Sequence, residues 1–428
     1  MHATLAQALN LLDINDVRIV NDGNEVIRKF TGLEHAEALF TYLDLAGYLS
    51  PALLEKAINY LSTEKPLACP NEIAIGHLKE VYATAHAGGR FNIAWFLENF
   101  CNAPYFGVDD VIDLIVFLQQ TAFDRQFGVE RDKLQAQPWL VEHMDLFQRL
   151  TTTLGVTTPL PPAHDTYCGT GIMGAASVRV ETRIQYFNSL KANCGELWAL
   201  SGKREMSRGL DKEDIMIKVA EAAGKPINFV KKGAGAAERE YIDGVTETMM
   251  VNYFLQIMCA DKKIALIDSA VEEGHWRATT AQGATDIART LIQKILKGGI
   301  AMDEAGVYRF MIIAEQPYAG RMARQVQRAF NAEIHAQGLG KVIKSFVVEG
   351  VGSGIPREDL SNIEVLKRVN SELGSLMAER FYDARLRLSQ GDLKVPLRDP
   401  KILMFMDRDA KFLTLQEMNA ASAASPSP

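Results

Sequence analysis

Cations and small residues recur directly after a series of short apolar runs. Gly169, Thr170 and Gly171 follow the first, DTYCG; Ser201, Gly202, Lys203 and Arg204 come with the second, ELWALSG; Lys231, Lys232, Gly233 and Gly235 follow PINFV. Farther on, Glu315, Gln316, Tyr318, Gly320, Arg321 and Arg324 follow FMIIA, and Gly350, Gly352, Ser353 and Gly354 close SFVVEG. Glycine lets backbone N–H groups come close to a ligand, and helix N-termini favour anions. The set therefore predicts a pocket for an anionic small molecule bearing a phosphate or carboxylate, although turns use the same residue types for their own sake. Arg321, Arg324 and Arg328 stand three and four apart, so they share one helix face, with Arg321 nearest the expected pocket. Glu213, one loop beyond Lys203 and Arg204, is the candidate general base or ribose contact, beside its ordinary value as an acidic first-turn residue. Thr279 or Thr280 would either cap the helix that follows or offer a hydroxyl to the ligand.

Several sharper motifs are missing. GTGIMG departs from GxGxxG because Gly174 comes too early, and no acidic residue ends the second run in the ribose-binding manner. There is no GxxxxGK[ST], no HExxH and no GxSxG. His164, His275 and Cys168 each read more simply as an ordinary side chain than as an acid, base or nucleophile. The five cysteines are scattered without a CxxC, so no metal site and no disulfide framework is expected, and a reducing, cytoplasmic setting is the simplest reading. A formal charge of -7 supplies no basic field for nucleic acid or anionic membrane. No apolar stretch approaches the roughly 20 residues of a spanning helix.

The elements that must position these residues fall into two rhythms. Residues 1–150 carry apolar positions at three- and four-residue spacing, as in LEHAEALFTYLDLAGYL, NEIAIGHLKEVYATA and VDDVIDLIVFLQQTAF, and read as a separate all-helical domain. Residues 151–164 hold three prolines and many threonines and read as an exposed linker. From 165 to 395 short apolar runs alternate with helical stretches, which predicts an α/β domain with a mainly parallel sheet of five or six strands and a closing C-terminal helix. DTYCG, ELWALSG, PINFV, KIALIDSA, VYRFMIIAEQ and KVIKSFVVEG are the expected strands, and AEREYIDGVTETMMVNYFLQIM is expected as one long helix. Residues 396–428 read as a low-complexity tail.

The order of these pieces resembles the YdcF-like family, a bacterial domain of unknown function that includes SanA and ElyC. The likeness covers about residues 165–350 and rests on CGTG, VETRIQYFNSL, LWALSGKREMS, EAAGKP, IALIDSA, RATTAQGATDIA and IIAEQPYAGRMARQVQRAF in that order. It implies a Rossmann-like fold, with Arg183, Ser201, Gly202, Glu213, Thr280, Arg321 and Arg324 at the family's charged and small positions. It also brings in S-adenosylmethionine, because one member is linked to that ligand; the cofactor is otherwise unknown, with a nucleotide as the other candidate. Gln282 and Gly283 stand where the family favours Glu and Asn.

Two functions follow. The first is a cytoplasmic enzyme, of no identifiable reaction class, or a binder of a phosphate-bearing, nucleotide-type molecule at the strand ends. The alternative is a non-catalytic interaction protein, such as a bacterial effector, that meets a protein partner through residues 1–150.

Overall fold

A computed structural model describes residues 33–47, 49–52, 55, 59, 70–87, 95, 99, 136–232, 238–270 and 280–389, with 33–36 and 377–389 as backbone only. The described residues fall into two units, 33–157 with 356–389, and 158–355. The first unit begins with helices α1 (Leu33–Leu45), α2 (Asn71–His86), α3 (Pro138–Glu142) and α4 (Met144–Thr153). Expected helices over 1–16 and 108–123, and the tail 396–428, lie outside the described residues, and of 92–100 only Trp95 and Asn99 are described, both helical.

The second unit is built on five all-parallel strands. They are β1 (Gly169–Met173), β2 (Glu196–Gly202), β6 (Ile264–Ser269), β7 (Tyr308–Ile313) and β8 (Phe346–Val351), in the spatial order β6-β2-β1-β7-β8. Between β2 and β6 the chain adds a three-stranded antiparallel sheet of β3 (Glu205–Ser207), β4 (Phe229–Lys232) and β5 (Arg239–Thr246), in the order β3-β5-β4. The connecting helices are α5 (Ser177–Ser189), α6 (Glu213–Ala222), α7 (Glu247–Met258), α8 (Thr280–Leu296) and α9 (Ala319–Ala336). Val180 and Ile184 of α5, Met216 of α6 and Phe254 of α7 share one core with Ile172, Ala199 and Met311 of the parallel sheet. The opposite face carries Trp198, Phe310 and Ile312 and takes α8 and α9, whose Phe330 lies 6.4 Å from the Phe310 ring. Strands covered on both sides are mostly apolar, and YRFMII and FVVEGV are buried at every residue; their two charged members are paired, Arg309 with Asp303 at 2.5 Å and Glu349 with the Tyr167 hydroxyl at 2.5 Å.

Three expectations are corrected. DTYCG is not the first strand; the strand is GTGIM, so Gly169, Thr170 and Gly171 lie inside β1 and not in a rim loop. The residues were misread because glycine usually marks a turn, whereas here it clears space. A Cβ on Gly169 would stand 2.5 Å from Cζ3 of Trp198 and 3.0 Å from the Phe310 ring, and one on Gly171 would stand 2.8 Å from Leu200 Cδ1. PINFV does not join the parallel sheet; Phe229 and Val230 pair antiparallel with Ile242 and Tyr241. The expected long helix is a strand followed by a helix. REYIDGVT buries Ile242 and Val245 and bends at Gly244, whose φ of +68° a helix does not allow, and Thr246 then caps α7 by accepting from Met249 N.

Residues 151–164 are not an exposed connector. α4 runs on to Thr153, Leu154 and Val156 are fully buried, and Leu160 exchanges backbone hydrogen bonds of 2.9 Å with Gly352 beyond β8. The division between units nevertheless falls inside this segment, at 157/158. The closing helix α10 (Ile363–Ser389) groups with α1 to α4 and not with the sheet. Leu366, Val369, Leu373 and Leu376 form its buried stripe, Asn370 accepts from Tyr42 Oη at 2.6 Å, and Tyr42 packs edge-on against Trp139.

Gly169→Ala should destabilise the protein by about 1–3 kcal/mol through overpacking, since two buried rings must move. Urea unfolding measures it. An unchanged midpoint would show that Trp198 and Phe310 yield freely and that β1 is not confined by them.

Candidate functional site at the strand ends

Open α/β sheets bind ligands beyond the carboxyl ends of the strands where the order reverses. In this sheet the reversal lies between β1 and β7. Arg183 of α5 spans that point. Its Nη1 donates to the carbonyls of Met173 and Gly174, at 2.6 and 2.7 Å, and its Nε donates to Glu315, just past β7. Arg179, one turn earlier on α5, donates to the other Glu315 oxygen and lies 3.8 Å over the Tyr318 ring. The Arg183 side chain has no solvent exposure, whereas that of Arg179 is 28% exposed. Arg183 Nη2 is buried without a hydrogen-bond partner. Burial by itself would raise the Glu315 carboxyl, but the guanidinium charges of Arg179 and Arg183 and their hydrogen bonds outweigh it and hold it at about 2.

A second buried cluster stands beside the first. Arg204, 3% exposed, donates to Asp211 at 2.8 and 3.2 Å and to Glu247 at 2.9 Å. Burial would weaken its hold on a proton; Glu247 and Asp211 more than offset that and raise it above the ordinary arginine range. Asp211 also accepts from Ser177 N at 2.9 Å and Ser207 N at 3.0 Å. The first amide of α5, the place where an open sheet usually receives a phosphate, is thus already taken by a carboxylate of the chain.

The remaining predicted site residues are placed as follows. Ser201 and Gly202 end β2, and Ser201 Oγ donates to Thr248 Oγ1 at 3.2 Å. Lys203 is exposed and stands 3.7 Å from Asp268. Glu213 opens α6 and accepts from Arg208 at 2.6 Å, so it is paired with neither Lys203 nor Arg204. Thr280 opens α8. Arg321 and Arg324 lie in the first two turns of α9, both buried, and Arg321 Nη1 donates to Gln325 at 3.2 Å. Each of the three thus has a partner within the chain: Lys203 has Asp268, Arg204 has Asp211 and Glu247, and Glu213 has Arg208. Burial pushes the Cys168 thiol up to about 12, which keeps it protonated and unreactive.

Arg179, Glu247 and Thr248 went unnoticed in the sequence. Arg179 and Arg183 do stand four apart on α5, a spacing that puts them on one face. Glu247 and Thr248 were hidden inside the expected long helix. No group of three or more metal-ligating side chains occurs among the described residues. None of the described helices is long and apolar enough to cross a membrane. Comparison with family models, characterised proteins and solved structures gave no match.

Glu315→Gln should cost about 3–5 kcal/mol at pH 7, because two guanidiniums lose their shared carboxylate. A depressed carboxyl contributes stability above its unfolded pKa near 4.5 and loses it as the pH falls toward about 2. The gap between wild type and variant should therefore narrow as urea titrations move from pH 5 towards pH 3. A gap independent of pH would mean that Glu315 acts by shape and not by charge.

Proposed function

We propose that the second unit is a Rossmann-like domain that binds a small molecule carrying a carboxylate or single phosphate in the crevice between β1 and β7. One observation carries this reading: Arg183, which ties the ends of those two strands together at the reversal of strand order, keeps its buried Nη2 group without an acceptor. Nε and Nη1 are already taken, so Nη2 is the donor on offer, and an unsatisfied buried donor is costly until something accepts from it. Arg179, partly exposed and lying over the buried Tyr318 ring, is the more accessible of the two arginines. The likeness to the YdcF-like family points to the same residue, since Arg183 is its helix arginine. A pyrophosphate lying over the start of α5 would have to displace Asp211, so the favoured ligand presents one anionic group from the side of Arg179. Nucleotides and S-adenosylmethionine are the first candidates. Glu213, held by Arg208, stays outside this proposal.

A second reading, an interaction protein using residues 1–150, is favoured by the pairing of Lys203 and Arg204 with carboxylates of the same chain. Thermal-shift titration with inorganic phosphate, nucleotide monophosphates and S-adenosylmethionine separates the two. A ligand of the native state raises the midpoint by mass action. Arg179→Ala should weaken that ligand by about tenfold to a hundredfold, the worth of a charge-assisted hydrogen bond. No shift with any of them, or a shift that Arg179→Ala leaves unchanged, would put the interaction reading ahead.

A further inference from the structure

β6 ends the parallel sheet, and β2 is its only strand partner among the described residues. Its sequence is IALIDS, with Leu266 37% exposed. The helices packed beside β6 leave two further apolar side chains open to solvent, Ile257 of α7 at 58% and Leu296 of α8 at 43%. An open edge strand presents a row of unused N–H and C=O groups, and proteins usually blunt it with charge, proline or a bulge. Between 264 and 267 this edge has none of the three: it reads Ile, Ala, Leu, Ile. Its charges stand at the two ends, Lys262 and Lys263 before it and Asp268 near its close.

We infer that this edge is an interface for a second copy of the chain, formed by antiparallel pairing of β6 with β6 about a two-fold axis. The charge pattern selects the occupant. A two-fold perpendicular to the sheet keeps every side chain on its own face, so residues opposite each other must differ by an even number. Pairing Ala265 with itself meets this condition, and it sets Ile264 opposite Leu266 and Lys262 opposite Asp268, each twice by symmetry. The neighbouring register, centred on Leu266, would set Ile264 opposite Asp268 and loses both charge pairs. Lys262 and Asp268 have partners within one chain, and both arrangements leave room for a further one. Lys262 Nζ donates to Asn188 Oδ1 at 2.7 Å near the Phe187 ring, while Asp268 accepts from Thr248 at 2.6 Å and has Lys203 at 3.7 Å. Asp268 keeps a third of its side chain exposed. The dimer would be one continuous sheet of ten parallel-sheet strands with a single antiparallel junction, closed by symmetry and leaving β8 as the outer strand on both sides.

Sedimentation velocity on the full chain over a concentration series tests this. The wild type should show a monomer–dimer equilibrium. Leu266→Lys should abolish the dimer while far-UV circular dichroism stays unchanged. Asp268→Lys, which sets like charges opposite each other, should raise the dimer dissociation constant about tenfold or more. The charge swap Lys262→Asp with Asp268→Lys should restore it, a result that a general loss of folding does not produce. A wild type that remains monomeric at every concentration overturns the inference, as does a dimer indifferent to both Leu266→Lys and Asp268→Lys.

Discussion

A guanidinium removed from water carries a desolvation penalty that only close partners offset. Arg183 meets that condition only in part, with one carboxylate and two carbonyls, and these partners fasten the strand ends together. The Met173 and Gly174 carbonyls lie where the β1 ladder runs out, so they are acceptors in need of a donor. Glu315 lies just past β7. One side chain from α5 therefore joins three elements at the point where the strand order reverses. Removing Glu315 leaves a buried charge, and removing Arg183 orphans two carbonyls, so the group behaves as a unit.

The same logic governs the neighbouring cluster. Arg204 leaves β2, Asp211 precedes α6 and Glu247 begins α7. Their mutual pairing pins the small antiparallel sheet to the large parallel one, since β3 and β5 are the segments between them. Asp211 extends that fastening to α5 by accepting from its first amide. A carboxylate at a helix N-terminus is stabilised by the unpaired amides there as well as by Arg204. The strand ends thus carry many charges and few that are free of an internal partner. The exposed pairs on the small sheet, such as Arg208 with Glu240 and Lys232 with Glu205, contribute far less because water screens them.

The interior of the sheet divides by side-chain size. β1 presents glycine on the face where β2 and β7 present Trp198 and Phe310, and the two rings meet over it at 5.8 Å. Phe330 and Phe346 continue the aromatic layer, stacked at 3.8 Å. The other face is filled from three helices by aliphatic and methionine side chains together with Phe187 and Phe254. A thin central strand between wide neighbours lets aromatic side chains close over it without a void, which a uniformly large-residue strand would prevent.

Periodicity alone was enough for helices at Leu33–Leu45 and Asn71–His86 and for the parallel strands that hold LWAL, IALI and FMIIA, although IALI is an edge strand and not a buried one. These are local properties: a strand buried on two faces is apolar over most of its length, and a helix buried on one is apolar at every third or fourth residue. The sequence also nominated Arg183, although through a likeness and not through its surroundings. Tertiary structure decided the rest. Whether GTG is a turn or a strand depends on Trp198 and Phe310, distant in sequence, needing the space. Whether PINFV extends the large sheet or pairs with REYIDGVT depends on which edge is open when it folds back, and hydrophobic period is the same in both. Whether Arg204 meets a ligand or Asp211 depends on where a loop brings a carboxylate. A residue's type sets what it can bind, but burial and neighbours set what it does bind, because the cost of leaving a charge unpaired is settled only once water has been excluded.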